Sequence, residues 1–181
     1  KLEQQKNRRY KSWLEKDLQN KLGIATSSKF DTVSITPGTE FMKKLDININ
    51  YTFTNANKYG LNKLIVSCSD EPGEGEHKLF DYIRVNPEKH LKETTVIYGL
   101  DADLIMLSIN HLPICPKIYL FRETPHFIQS INSELEPDAN YFLDIPELTE
   151  TIIGYLSTKT DNTTDYKKVY DYIFLCFFLG N

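Results

Sequence analysis

Residues 94–110 read TTVIYGLDADLIMLSIN. The opening TTVIYGL (94–100) is β-branched and apolar, the composition of a strand, whereas ADLIMLSIN (102–110) suits a short helix. Between them a turn carries Asp101 and, two residues on, Asp103. The same order recurs on both sides. LNKLIVSCS (61–69) reads as a strand followed by a helix over GEHKLFDYIR (75–84), which Asn86–Pro87 would stop; KIYLFRE (117–123) reads as a further strand. Strands alternating with helices of this length predict an α/β domain with a largely parallel sheet flanked by helices. In such sheets ligands collect beyond the carboxyl ends of the strands, where both EPGEGE (71–76) and DAD (101–103) fall.

Further elements follow from spacing. Residues 1–22 read as a helix with Tyr10, Trp13, Leu14 and Leu18 on one apolar stripe, and Gly23 as its stop. TPGTEF (36–41) reads as a turn into a short helix, and DININYTFTN, beginning at Asp46, as a strand or loop. YKKVYDYIFLCFFLG (166–180) reads as a mostly buried helix, and SELEPDAN (133–140) and STKTDNTTD (157–165) as surface loops. No internal repeat is present.

The chain has 181 residues, enough for one domain with its own core. Its 40% hydrophobic and 25% charged residues are those of a folding chain rather than a disordered one. The longest apolar run, Tyr172–Leu179, is far short of the roughly 20 residues that span a membrane, so no membrane partner is expected. Cys68, Cys115 and Cys176 form no CxxC pair and are odd in number, which argues against a zinc knuckle or a disulfide framework. No export signal is recognisable. A reducing, intracellular location is expected, cytoplasmic in preference to nuclear, although nothing in the sequence separates the two.

Net charge is −4, but it is unevenly spread. Lys and Arg outnumber acids in the first 22 residues, while the paired acids lie in the middle of the chain. Lys1, Gln5, Arg8 and Arg9 recur at i, i+4, i+7 and i+8, placing four polar groups on one helical face. That face could grip an anion; the plain alternative is a solvated charged face.

The acidic pairs have a sharper reading. Side chains two residues apart on an extended segment point the same way, so Asp101 and Asp103 would converge at a strand end. Glu74 and Glu76 would diverge in a regular helix, but Gly73 and Gly75 let the segment bend and aim both into one crevice. Four carboxylates there would repel one another unless a cation were bound. All-oxygen ligands favour Mg²⁺ or Mn²⁺, and two such ions are the usual device for phosphodiester hydrolysis. The alternative is that these are first-turn acids favoured by the helix dipole. His77 could shuttle a proton or contact phosphate, or serve as a cap or packing residue, Lys78 could pair with the acids, and His111 and His126 are expected in surface or core packing. Cys176 is expected to be buried and inert, and no Ser/His/Asp set with interpretable spacing is present.

PGEGEHKLFDYIR (72–84) followed by VIYGLDADLIMLS (96–108) closely resembles the acidic blocks of the 5′-to-3′ exoribonuclease family. KLEQQKNRRYKS (1–12) resembles that family's basic block, FDTVSITPGTEFM (30–42) its intervening segment, and LFRETPHF (120–127) and LCFFLGN (175–181) extend the match. The resemblance implies a PIN/FEN-like nuclease fold and degradation of single-stranded RNA bearing a 5′-monophosphate. It implies Glu74, Glu76, Asp101 and Asp103 as catalytic metal ligands for Mg²⁺ or Mn²⁺, two ions being expected. It also implies Lys1, Gln5, Arg8 and Arg9 as the 5′-phosphate pocket. In the family further aspartates precede the basic block, and another follows the final LGN. Residues 1–181 are therefore expected to be the central part of one catalytic domain, truncated at both ends and inactive alone. A flap-type structure-specific nuclease and a catalytically dead RNA-binding relative are the alternatives. The wording of GEGEHK and GLDADLIML disfavours the first, and four retained acids disfavour the second.

Overall fold

The computed structural model describes residues 2–23, 34–99, 101–122, 132–136, 139–157 and 166–179; at 2–5, 8, 9, 16 and 122 only the backbone is described. The chain divides into two compact units, Lys1–Glu74 and Gly75–Asn181.

In the first unit, helix α1 covers Leu2–Lys21. Its last turn is supported by an ion pair from Lys21 Nζ to Asp17, 2.7 Å apart at i, i+4 spacing. Gly23, at φ 67°, takes the left-handed conformation that ends helices and that a side chain would disfavour. The expected stripe of Tyr10, Trp13, Leu14 and Leu18 is on this helix, but all four side chains are exposed.

Helix α2 (Glu40–Thr52) starts where Thr39 Oγ1 accepts the Met42 N–H at 3.3 Å, an N-cap on the expected turn. The helix then runs through residues 46–52, which the sequence suggested were strand or loop. Asn48 and Asn50 explain the difference. Their side-chain amides donate to the carbonyls of Lys44 and Asp46, four residues back, at 2.8 and 2.9 Å. These side chains therefore brace the helix rather than compete with it. A 3₁₀ turn, Ala56–Tyr59, follows and closes at Gly60, φ 67°.

Residues 61–69, expected to be a strand, form none among the described residues. Side chains hold the end of this segment to α2 instead. The Ser69 hydroxyl donates to the Asp46 carboxylate at 2.5 Å, and the Asn50 amide donates to Cys68 Sγ at 3.6 Å.

The second unit is α/β. Helix α3 (Gly75–Val85) ends before Asn86–Pro87 as expected, and Pro87 opens the short α4 (Pro87–His90). Strand β1 (Thr95–Tyr98), helix α5 (Asp103–His111) and strand β2 (Ile118–Arg122) form a βαβ unit, with β1 and β2 parallel in the register Ile97↔Leu120. Strand β3 (Tyr141–Asp144) then pairs antiparallel to β2, in the register Phe121↔Phe142. The described sheet is thus a small mixed one in the order β1-β2-β3, whereas the sequence suggested a largely parallel one. The difference comes from β3, whose short YFLD run follows a polar loop and carries too little periodicity to register as a strand.

Helix α6 (Ile145–Leu156), also unforeseen, is capped by the Asp144 carboxylate, which accepts the Glu147 N–H at 3.1 Å. Helix α7 covers Tyr166–Leu179. The core gathers Phe80 and Ile83 of α3, Ile97 of β1, Leu104 and Ile109 of α5, Ile118 and Leu120 of β2, Ile145 and Ile153 of α6, and Val169 and Ile173 of α7. Only those last two residues of α7 are buried; Phe174, Leu175, Phe178 and Leu179 are exposed, so the helix is not the mostly buried one its composition suggests. Cys176 is half-buried rather than buried. Among the described residues no helix is long and apolar enough to cross a membrane.

Candidate metal centre

Strand β1 ends at Tyr98, and Gly99 follows without a side chain. A Cβ at Gly99 would collide with Leu104 Cδ1, and Leu104 is itself 5% exposed in the core. The glycine therefore leaves room for the Leu104 side chain, on the first turn of α5, against the strand end.

Asp101 occupies the turn and is exposed; its Oδ1 accepts the Asp103 N–H at 3.4 Å. Asp103 is the first residue of α5 and is 5% exposed. The two carboxylates meet, but across a turn closed by this hydrogen bond rather than along an extended strand end. Glu76, half-buried in the first turn of α3, completes a trio: Glu76, Asp101 and Asp103 offer carboxylate oxygens all within 4.8 Å of one another. Three carboxylates this close repel one another, and a divalent cation relieves the repulsion while accepting hard oxygen ligands. Donor type, spacing and burial of the trio fit such an ion.

Glu74 is exposed and stands last in the first unit, one residue before α3 begins; Gly73 beside it has φ 103°, the left-handed conformation its sequence role requires. The trio does not include it. His77 is exposed in the first turn of α3, and Lys78 is half-buried. Of the four expected phosphate contacts, Lys1 lies outside the described residues. Gln5, Arg8 and Arg9 lie on α1, with their side chains outside the description. His126 also lies outside the described residues.

His111, read from the sequence only as a packing residue, has more specific surroundings. Its Nε2 is 2.8 Å from Arg84 Nη1, its Nδ1 is 2.6 Å from the Leu107 carbonyl oxygen, and its ring lies 4.5 Å from that of Phe80. Arginine can only donate and a carbonyl can only accept. The imidazole is therefore neutral, with its proton on Nδ1. Burial pushes its pKa down, the Leu107 carbonyl raises it, and Arg84 lowers it further. Nothing local in the sequence signals this pair, because Arg84 and His111 are 27 residues apart.

Over residues 1–124 the chain matches the family described as XRN 5′-3′ exonuclease N-terminus. It is 35% identical over 201 aligned residues to 5′-3′ exoribonuclease 1 of Saccharomyces cerevisiae, an alignment covering all of this chain and 13% of that protein. It is also 35% identical over 169 residues to 5′-3′ exoribonuclease 2 of Yarrowia lipolytica, covering 84% of this chain and 16% of the relative. Against 5′-3′ exoribonuclease 2 of Cryptococcus neoformans var. neoformans, 46% identity extends over 92 residues, 47% of the chain and 8% of the relative. The aligned parts of the chain thus cover between 8% and 16% of the length of these three relatives. Joined to a sequence match over more than half its length, the clustering of Glu76, Asp101 and Asp103 at adjoining helix starts has a family context: the chain belongs to the XRN 5′-3′ exonuclease N-terminus family.

Proposed function

We propose that this chain is a part of the catalytic domain of a 5′-to-3′ exoribonuclease, acting in the cytoplasm on single-stranded RNA that carries a 5′-monophosphate. The observation that carries the reading is the trio Glu76, Asp101 and Asp103, within 4.8 Å of one another in the segment that matches the family. The names of the relatives and the βαβ unit at the trio support it, and a PIN/FEN-like fold is proposed for the complete domain.

Glu76, Asp101 and Asp103 would hold Mg²⁺ or Mn²⁺, with Glu74 as a fourth ligand and two ions in all. Bound metal supplies Lewis-acid polarisation of a phosphodiester. The chain's own part is to hold the carboxylates ready. Asp101 presents one carboxylate from an exposed turn, whereas Asp103 is held on the first turn of a core helix. Lys1, Gln5, Arg8 and Arg9 are proposed to grip the terminal phosphate by several charge-assisted hydrogen bonds at once, a selectivity one lysine cannot supply.

The test is turnover of 5′-monophosphorylated, 5′-hydroxyl and 5′-triphosphorylated RNA, with Mg²⁺, by the full-length protein containing this chain and by its Asp101→Ala form. Degradation of the monophosphate alone, lost in the variant, is the expected result. Equal cleavage of all three, or cutting at internal or DNA flap positions, would discard the exoribonuclease reading; no turnover at all would favour a non-catalytic RNA-binding relative.

A further inference from the structure

The trio sits at one end of two helices whose other ends are also joined. Glu76 and Arg84 are eight residues apart on α3, and Asp103 and His111 are eight apart on α5. Both intervals are about 12 Å at roughly 1.5 Å per residue. At the first turns, Glu76 meets Asp103; at the last turns, Arg84 donates to His111. The helices therefore run side by side in the same direction, close at both ends and bonded at the second, with the fully buried ring of Phe80 packed on His111 beside the Arg84 contact.

We propose that Arg84 and His111 are positioning residues for the metal centre: their hydrogen bond sets the spacing of α3 and α5 and so holds Glu76 against Asp101 and Asp103. This inference rests on the proposed metal-binding role of the trio. Three carboxylates at the N-terminal ends push the two helices apart, and a fixed contact at the far end resists that splaying. Arg84 is itself oriented by an ion pair with Asp81, one turn back on α3. His111 is oriented by the Leu107 carbonyl, one turn back on α5. Each partner thus has an orienting contact on its own helix, His111 from the core side and Arg84, its side chain 47% exposed, from the surface side. Asp81 and Arg84, both on α3, are the charged groups that face the imidazole.

The experiment measures Mn²⁺ affinity of the full-length protein by titration calorimetry, with circular dichroism to confirm folding of each variant. His111→Leu removes the acceptor and is expected to weaken Mn²⁺ binding by about 2- to 30-fold, the scale of coupling carried through packed elements from a distance. His111→Gln keeps an uncharged acceptor toward Arg84 and is expected to restore most of that affinity. Arg84→Met should weaken binding comparably, and the double variant Arg84→Met/His111→Leu should be no weaker than either single one. Asp103→Asn separates the two claims. If it leaves Mn²⁺ affinity unchanged, the metal-site reading fails. If it abolishes binding while folded His111→Leu and Arg84→Met bind like the wild type, the clamp fails alone. Equal loss in His111→Leu and His111→Gln, or additive losses in the double variant, would also overturn it.

Discussion

Helices α5 and α7 are both rich in apolar residues, yet they are used in opposite ways. Helix α5, nine residues long, buries Asp103, Leu104, Ser108, Ile109 and His111; α7, fourteen residues long, buries Val169 and Ile173 alone. Within residues 1–181, then, apolar composition does not decide burial; what decides it is which neighbours the helix has in this chain. Helix α5 crosses between two parallel strands and packs on α3, whereas α7 presents one narrow stripe to the core. The buried face of α5 is also where polar groups are enclosed: a carboxylate at its start and an imidazole at its end. Enclosed polar groups are costly unless matched, which makes them informative about function in a way exposed aromatics are not.

That contrast can be broken most sharply at Asp103. Asp103→Asn in the full-length protein removes a charge while keeping shape, and Mg²⁺-dependent turnover is expected to fall by at least about 100-fold, the scale at which lost transition-state electrostatics shows. Next, Ile109→Ala on α5, at 2% exposure, should lower unfolding free energy by about 2–5 kcal/mol, read from urea denaturation. A loss under 1 kcal/mol would mean α5 is not the packed element described.

The enclosed imidazole sharpens the comparison through pH. Because burial lowers the His111 pKa, the folded state binds its proton less readily than the unfolded chain. His111 therefore contributes stability that is full above about pH 6.5 and is lost as pH falls from there through its lowered folded value. Denaturation midpoints of wild type and His111→Gln across that window should diverge, the wild type losing more; parallel curves would contradict a neutral, enclosed His111. The smallest effect is expected on α7 within residues 1–181, where Phe178→Ser, at 81% exposure in this chain, should change the stability of that chain by no more than about 0.5 kcal/mol.

The strand–turn–helix around Gly99 was legible because β-branched TTVI and the apolar spacing of DLIMLSI point to different periods on either side of one turn. Helix α3 was legible for the same reason, with Pro87 marking its end. Residues 46–52 were misread because Asn and Ile lower helix propensity, and only the structure shows the Asn amides bonded four residues back. Strand β3 and helix α6 were overlooked because a four-residue strand joined without a loop to a helix offers no turn signal between them. At the site, residue types gave the acids, but not which of them gather. The inclusion of Glu76 and the burial of Asp103 depend on how α3 packs against α5, a tertiary property. The Arg84–His111 contact was invisible for that reason too.

The most direct test of the central claim is an anomalous difference map from crystals of the full-length protein grown with saturating Mn²⁺. A peak within direct ligand distance of Glu76, Asp101 and Asp103 is the predicted result. A map with these three carboxylates ordered and no peak between them would contradict the account.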